Sequence, residues 1–244
     1  MHDSHCHIDL YPDPYEVAIS TERQRITTIA VTNLPSAYYA AKPHMRQFRY
    51  LRLAVGLHPL LVQNHTAKEK DLFRQAFSET HYVGEVGLDF SKQGTSKEQQ
   101  VESLKFVLSH LQQEPRFVTI HSRRAESVVL QLLDDYGIQP VIFHWYSGPL
   151  KLLHNIIESG HYFSVNAAMI HSKNGQRIVA RIPKERLLTE SDGPFVKVNN
   201  HLIAPRNVML VSEYLVDHWD SSCDIVIKQL DCNFNDYTNS VGVV

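Results

Sequence analysis

Residues 96–137 read SKEQQVESLKFVLSHLQQEPRFVTIHSRRAESVVLQLLDDYG. Ser96 and Gln99 form a plausible capping box at the start of a helix. Five apolar residues then fall on one helical face: Val101, Leu104, Val107, Leu108 and Leu111. The run Arg116–Ile120 has the length of a strand, and a second helical segment, Arg124–Tyr136, ends at Gly137. The stretch therefore predicts a helix, a strand and a second helix in succession.

The same alternation extends along the chain. With Arg116–Ile120, the predicted strands are Ser4–Leu10, Ile26–Val31, Leu51–Leu57, Tyr82–Leu88, Gln139–Phe143, Tyr162–Val165 and Leu187–Thr189. Pro149 and Gly160 bracket another helical segment, and the piece from Pro205 predicts one or two terminal helices. Eight strands that alternate with helices indicate an α/β fold with a parallel sheet. At 244 residues we expect a (β/α)8 TIM-type barrel, with residues 1–244 as a single domain; an open doubly wound sheet is the alternative.

The composition narrows the function classes. A net charge of -2 argues against a nucleic-acid protein that binds through a broad basic face. Cys6, Cys223 and Cys232 form no metal-type or disulfide pattern, so we expect unpaired thiols in a reducing compartment. Neither a secretion signal nor a run of about 18 apolar residues is present, which predicts a cytoplasmic protein without a membrane partner.

Histidine is the one unusual count, at 15 residues, and two histidines lie close to the start of the chain. His5 and His7 are two residues apart on a predicted strand, so their side chains share one face. Two imidazoles so placed can bind one metal ion. By itself the pair is equally well explained as two half-buried histidines on a strand.

Further metal-type side chains occur where predicted strands end, which is where barrels of this class carry their active sites. They are Glu85 on strand four, His121 after strand five, His144 after strand six and Asp192 after strand eight. Each has an ordinary explanation alone: Glu85 could form a salt bridge, Asp192 could cap a helix, and the histidines could be core residues. Together with His5 and His7 they supply four imidazoles and two carboxylates. Such a set suits two cations bridged by one carboxylate, the arrangement that activates water for displacement at phosphorus.

These motifs resemble a known family. The chain resembles the TatD-like metal-dependent deoxyribonucleases over nearly its whole length. The motifs that carry the resemblance occur in the family's order: His5-x-His7, Val83-Gly84-Glu85-Val86-Gly87-Leu88-Asp89, Ile120-His121-Ser122-Arg123, Phe143-His144 and Thr189-Glu190-Ser191-Asp192. Val55-Gly56-Leu57-His58-Pro59 is similar to the family's third-strand motif, whose histidine faces the substrate.

The resemblance implies two groups of metal ligands that share Glu85: His5, His7, Glu85 and Asp192 in one, and Glu85, His121 and His144 in the other. It also implies that Asp192 orients or deprotonates the attacking water, which makes Glu85 and Asp192 the catalytic residues. The implied substrate is the phosphodiester backbone of DNA, single-stranded or cut from a 3′ end. The implied cofactors are two divalent ions, magnesium or manganese, while imidazole-rich ligation also suits zinc.

Two segments depart from the family pattern. After Asp192 the chain reads GPFVKVNN. In the family this region is followed by an arginine-glycine element and an Arg-Asn-Glu-Pro signature, of which only Pro205-Arg206-Asn207 remains here. After His144, the aromatic residues Trp145 and Tyr146 could stack on a base or pack beside the barrel. Arg123 could contact a phosphate, because a ligand strand fixes its position. So divergent a chain resembles the TatD-like component of bacterial Qat anti-phage systems, which implies a defence role and partner proteins of the same operon.

Three other functions are open. An amidohydrolase-type enzyme for amides or esters can share the barrel and the H-x-H start, but many such enzymes bridge two metals with a lysine on strand four, where this chain has Glu85. A polymerase-and-histidinol-phosphatase type of phosphoesterase needs an early acidic ligand, for which Asp9 is the sole nearby candidate. The third is a metal-binding scaffold subunit without turnover.

Overall fold

The computed structural model describes residues 1–243, and its strands form a parallel barrel. The barrel strands are β1 (His2–Cys6), β2 (Thr27–Ala30), β3 (Leu51–Leu53), β4 (Val55–Leu57), β5 (Tyr82–Gly87), β6 (Phe117–His121), β7 (Ile142–His144), β8 (Tyr162–Val165) and β9 (Leu187–Thr189). Pairing runs in parallel from β1 to β3 and from β4 to β9. Since β3 and β4 follow each other with only Ala54 between them, together they make the third of eight barrel strands.

The barrel closes between its first and last strands through specific contacts. The Ser4 hydroxyl donates to the Thr189 carbonyl at 2.9 Å, and the Thr189 hydroxyl donates to the His2 carbonyl at 2.6 Å. Beyond the end of β9, the Asp192 amide donates to the His5 carbonyl at 2.9 Å. This closure brings the residues after β1 beside the residues after β9.

Helices cover the outside of the barrel. They are α1 (Pro14–Gln24), α2 (Pro35–Met45), α3 (Ala67–Phe77), α4 (Lys97–Leu111), α5 (Glu126–Tyr136), α6 (Leu150–Glu158), α7 (Ala167–Ile170), α8 (Lys173–Val179), α9 (Met209–Trp219) and α10 (Cys223–Ser240). The largest hydrophobic cluster joins strands to helices and includes Phe73, Leu104, Val129, Phe143 and Ile156. None of the helices within residues 1–243 is both long and apolar enough to cross a membrane.

The last helix covers the barrel end at which the strands begin. Tyr237 of α10 is fully buried and packs on Phe117 and Tyr162, the first residues of β6 and β8. Its hydroxyl accepts a hydrogen bond from the Val118 amide at 3.0 Å. With this end covered, the opposite end, where the strands finish, is left for the site.

The predicted barrel is confirmed, with local corrections to its elements. The eighth and seventh strands have the predicted bounds, but the first ends at Cys6 and continues as a 3-10 helix, Ile8–Leu10, rather than as a strand to Leu10. The sixth starts at Ile142, not at Gln139, because Pro140 has no amide to donate to a ladder. Ser96 accepts from the Gln99 amide as an N-cap, and Gly137 ends α5 with φ 64°. Cys6, Cys223 and Cys232 are unpaired.

A short hairpin after Asp192 was not predicted. It pairs β10 (Lys197–Val198) with β11 (His201–Leu202), and Asn199 and Asn200 at its turn have φ of 50° and 63°. Two consecutive asparagines with positive φ fit the two-residue type I′ turn of hairpins. Each strand has only two residues, too few for a periodic pattern to be visible in the sequence.

Candidate metal centre

The predicted ligands converge where the barrel strands end. His5 lies near the end of β1, His121 and His144 are the last residues of β6 and β7, and Asp192 follows β9. Glu85 lies within β5 and His7 just beyond β1. All of them are buried except His121, which is half-buried. The structure therefore brings all six predicted metal ligands together.

The backbone of Glu85 is fixed by hydrogen bonds between β5 and Thr32, which follows β2. The Glu85 amide donates to the Thr32 carbonyl at 3.1 Å, and the Thr32 amide donates to the Gly84 carbonyl at 3.1 Å. Gly56 allows this approach, because a Cβ atom there would lie 1.7 Å from the Thr32 carbonyl oxygen. The glycine of the third-strand motif thus makes room for the backbone that positions Glu85.

The Glu85 carboxylate lies between two groups of histidines. Its Oε2 atom lies 3.1 Å from His7 Nε2 and 3.6 Å from His5 Nε2. Its Oε1 atom lies 2.5 Å from His121 Nδ1 and 2.9 Å from His144 Nε2. One carboxylate therefore offers a separate oxygen atom to each histidine pair.

Asp192 lies beside the first histidine pair. Its Oδ1 atom is 3.8 Å from His5 Nε2 and 3.9 Å from His7 Nε2. The backbone of Asp192 has φ 46°, a left-handed conformation that is costly outside glycine and is found at functional sites. The hydrogen bond from its amide to His5 holds this conformation in place.

The donor atoms have the chemistry and spacing for divalent ions. Three groups have ligand atoms that all lie within 4.8 Å of one another: His5 with Glu85 and His144, His5 with His7 and Asp192, and His58 with Glu85 and His121. Imidazole nitrogens and carboxylate oxygens suit zinc, manganese and iron. These residues fit a metal centre, and the shared Glu85 fits a centre with more than one ion.

Thr119 and Asp89 hydrogen-bond to ligand histidines and Glu190 lies beside a third, and none of the three was predicted as a site residue. Thr119 Oγ1 lies 3.0 Å from His5 Nδ1, and Asp89 Oδ2 lies 2.9 Å from His121 Nε2. Glu190 Oε2 lies 3.7 Å from His144 Nδ1. Each stands on the side of a ring turned away from the Glu85 carboxylate. Asp89 and Glu190 lie within the quoted motifs, so a buried acidic residue close to a predicted ligand was the available signal.

The charge state of the centre without metal follows from burial and the histidines. Burial alone would raise the pKa of Glu85, but His58, His144 and His121 around it hold that pKa well below its usual value. Burial lowers the pKa of His5 well below 6.5, and His144 adds to this effect. Glu85 is thus ionised and His5 neutral, which are the forms that bind a metal ion.

Other groups of the centre have raised pKa values in the metal-free protein. Burial raises the pKa of Asp192 well above 3.8; His144 opposes this rise, and Glu190 and Glu85 add to it. Burial opposes protonation of His144 and His121, yet Glu85 beside both rings raises their pKa values. Because metal ions bind the deprotonated forms, metal binding competes with protonation of these groups.

The predicted substrate-contacting residues have different surroundings. His58 lies in the centre, with Nε2 3.4 Å from Glu85 Oε2, and burial lowers its pKa to about 4. Arg123 is exposed, and no residue in the range 1–243 forms an ion pair with it. Trp145 is half-buried, with φ 39°. The structure does not bring Tyr146 to the surface: 1% of it is exposed, it packs on Phe143 and its hydroxyl donates to the Pro149 carbonyl, so it has no face for a base.

Comparisons with known proteins agree with the fold and with the family resemblance. Residues 2–239 match the family model described as TatD related DNase. Deoxyribonuclease TATDN3 of Homo sapiens is 30% identical over 155 residues, which cover 60% of this chain and 55% of that protein. The uncharacterized metal-dependent hydrolase MJ1582 of Methanocaldococcus jannaschii is 24% identical over 217 residues, 86% of each chain. The crystal structure of YjjV, a TatD homolog from Escherichia coli, superposes with a TM-score of 0.87 at 21% identity and covers 96% of this chain and 95% of that one.

Proposed function

We propose that this chain, which belongs to the TatD related DNase family, hydrolyses phosphodiester bonds of DNA with two divalent metal ions. The family makes it a metal-dependent hydrolase. The observation that carries the two-ion proposal is the division of the Glu85 carboxylate, whose two oxygen atoms face two different histidine pairs. A closed structural site for one zinc ion would need only four ligands.

The proposed ligands are His5, His7, Glu85 and Asp192 for one ion and Glu85, His121 and His144 for the other. Magnesium and manganese are the expected ions, and zinc also suits the imidazoles. When bound, such ions supply Lewis acidity toward a phosphoryl oxygen and lower the pKa of water. The remaining chemistry belongs to the side chains of this chain.

Asp192 is the proposed general base. It is buried, and its Oδ1 atom lies 3.8 Å from His5 Nε2, beside the first histidine pair. A carboxylate so placed can accept a proton from water that attacks phosphorus in line with the leaving oxygen. His58 at the edge of the centre and the exposed Arg123 are the proposed contacts to the phosphate that is attacked, with Arg123 contributing a positive charge.

The residues around Glu85 also bear on the two alternative functions, an amidohydrolase and a scaffold subunit. No lysine occurs in β5, so the bridge of many amidohydrolases has no counterpart beside Glu85. A scaffold subunit without turnover would have no need of a complete donor set whose histidines are held by Thr119 and Asp89. Phosphodiester hydrolysis is the reaction that the donor set supports best.

The test is cleavage of end-labelled DNA. Protein loaded with Mn²⁺ should shorten single-stranded DNA from the 3′ end, and EDTA should stop the reaction. Asp192→Asn should lower the rate at least about a hundredfold, as loss of a general base does, while Asp217→Asn on the exposed face of α9 should not change it. Turnover of a panel of amides and lactones but not of DNA would refute the proposal.

We extend the proposal to the cellular role. The divergent segment after Asp192 and the similarity to the TatD-like component of Qat systems support a cytoplasmic, single-domain nuclease of an anti-phage operon that acts with its partner proteins. Cells that carry the operon should resist phage, and Asp192→Asn should abolish that resistance. Unchanged plaque numbers in this variant would contradict the defence role without affecting the proposed reaction.

A further inference from the structure

Phe195 is a large apolar side chain that stays exposed beside the candidate metal centre. The exposed fraction of the residue is 57%. Its ring meets the ring of His7 edge to face, with centroids 5.0 Å apart and planes at 85°. Phe195 has no ligand atom, and the function proposed above gives it no role. An exposed aromatic ring in contact with a proposed metal ligand therefore needs an explanation.

The backbone that carries Phe195 is anchored to the centre. The amides of Phe195 and Val196 both donate to the Asp192 carbonyl, at 2.9 and 3.2 Å. Gly193 is packed so tightly that a Cβ atom there would lie 1.8 Å from the Tyr11 hydroxyl. The Gly193 carbonyl also accepts the His7 amide at 2.8 Å. The position of the Phe195 ring is thus tied to two proposed ligands, His7 and Asp192.

The residue after Phe195 prevents the ring from turning into the core. Val196 and Ile203 are buried and form a small hydrophobic cluster with Ala167, against which Trp145 packs. The Ile203 amide donates to the Val196 carbonyl at 3.0 Å and joins the two sides of the β10–β11 hairpin. Phe195 ends the turn at residues 193–195, before β10 begins, and there its side chain stays exposed while that of Val196 is buried. The fold thus holds Phe195 on the surface at the mouth of the centre.

We infer that Phe195 is the stacking platform for the nucleobase next to the phosphodiester bond that is cut, an inference that rests on the proposed function. A base offers a flat π-face, and aromatic side chains in single-strand binding sites stack on it whatever the base. The ring stands one side chain away from the ligands that would hold the reacting phosphate. Stacking there would order the end of a single strand over the centre without hydrogen bonds to the base edge, so it predicts little preference among the four bases.

The first test measures binding without cleavage. Mn²⁺-loaded protein is titrated with a short phosphorothioate-linked oligothymidylate, which resists hydrolysis, and with the matching strand that lacks every base. Phe195→Ala should weaken binding of the first strand about tenfold or more and leave binding of the abasic strand unchanged. Phe195→Trp should restore binding, and Phe195→Leu should behave like Phe195→Ala, because leucine is apolar but has no π-face.

Leu202 provides the matched control, since it is a second exposed apolar residue in the segment after Asp192, 39% exposed. Leu202→Ala should bind both strands like the wild type. Equal losses on the two strands in Phe195→Ala, or restoration by Phe195→Leu, would overturn the stacking role and indicate general damage to the centre. Binding that no Phe195 variant alters would overturn it as well.

Cleavage kinetics separate this inference from the proposed function. On ordinary single-stranded DNA, Phe195→Ala should raise KM more than it lowers kcat, and on the abasic strand it should match the wild type. If Phe195→Ala cleaves DNA as well as the wild type does, the stacking role is refuted but the proposed hydrolysis is not. A protein that binds the strand through Phe195 but never cuts it refutes the proposed hydrolysis alone.

Discussion

Asp89 contacts His121 on the side of the ring opposite to Glu85: Asp89 Oδ2 lies 2.9 Å from His121 Nε2, and Glu85 Oε1 lies 2.5 Å from His121 Nδ1. The ring therefore presents Nδ1 to the centre while its other nitrogen donates to a carboxylate. Gln100 anchors Asp89 in turn, since its amide side chain donates to the Asp89 carbonyl and accepts the Asp89 amide. Carboxylates that orient a histidine ligand in this way make it a stronger donor to a metal ion.

Asp89→Asn should weaken Mn²⁺ binding by about 10- to 100-fold and leave the fold intact, because asparagine cannot supply the negative charge opposite the imidazole. Calorimetric titration of metal-free protein measures the change. Asp71→Asn removes an exposed carboxylate from α3 and serves as the control. An unchanged Kd in Asp89→Asn would show that this contact does not support a ligand.

Gly56→Ala tests how the position of Glu85 depends on the close approach of Thr32 to β5. A Cβ atom at Gly56 would lie 1.7 Å from the Thr32 carbonyl oxygen and 2.7 Å from the Glu85 amide nitrogen. Because backbone atoms cannot give way as side chains do, we expect a loss of unfolding free energy of more than about 3 kcal/mol.

The matched control for Gly56→Ala is Gly94→Ala. Gly94 has φ 89° and no atom within 4 Å of the added Cβ, so its substitution should cost only the strain of a left-handed residue, about 1–2 kcal/mol. Urea unfolding of both variants gives the comparison. Equal losses at the two positions would contradict the steric role of Gly56.

Metal binding should release protons. Glu85 beside His121 and His144 raises their pKa values against the effect of burial, and burial raises the pKa of Asp192. All three groups bind metal in their deprotonated forms, so the apparent affinity should increase as pH rises toward these pKa values. Calorimetry of Mn²⁺ binding in buffers of different ionisation enthalpy counts the protons. Affinity that is independent of pH would contradict this assignment of charge.

His161, which lies away from the centre, makes the free energy of unfolding depend on pH. Burial lowers its pKa from 6.5 to about 4, and its Nδ1 atom accepts the Val141 amide at 3.2 Å. Because the unfolded chain takes up a proton first as pH falls, the contribution of His161 is complete above pH 6.5 and is lost between pH 6.5 and about 4. The loss amounts to roughly 3 kcal/mol over this window.

His161→Asn keeps an acceptor for Val141 but does not titrate, so its unfolding free energy should depend less on pH between 6.5 and 4 than that of the wild type. The exposed His154 supplies the control substitution His154→Asn. Urea unfolding at a series of pH values makes the measurement. If the unfolding free energies of the wild type and His161→Asn depend on pH in the same way, the lowered pKa of His161 is refuted.

Much of the barrel was predictable because buried parallel strands read as short apolar runs between helices. Tyr162–Val165 and Leu187–Thr189 were predicted to the residue. The first strand was predicted too long because the apolar pattern continues through Ile8 and Leu10, whereas the backbone turns at His7, with φ -90° and ψ 72°. His7 therefore lies outside the strand on which it was predicted. It still faces Glu85, so it lies in the same site as His5, as expected.

The centre was predictable as a set of residue types at strand ends, but its supporting contacts were not. Thr119 faces His5 across 114 positions of sequence, and a threonine inside a strand carries no signal of its own. Tyr146 shows the reverse error: an aromatic residue after a ligand strand suggests stacking, while the structure buries it on Phe143. The exposed aromatic at the centre is Phe195, which lies in the segment whose hairpin was too short to predict.

Anomalous diffraction at the manganese absorption edge, from crystals of the protein with Mn²⁺ and a short phosphorothioate strand, tests the two-ion centre most directly. We predict two peaks about 4 Å apart on either side of the Glu85 carboxylate, one with His5, His7 and Asp192 and one with His121 and His144, and a phosphate of the strand in contact with both. A single peak, or peaks that do not share Glu85, would contradict the account.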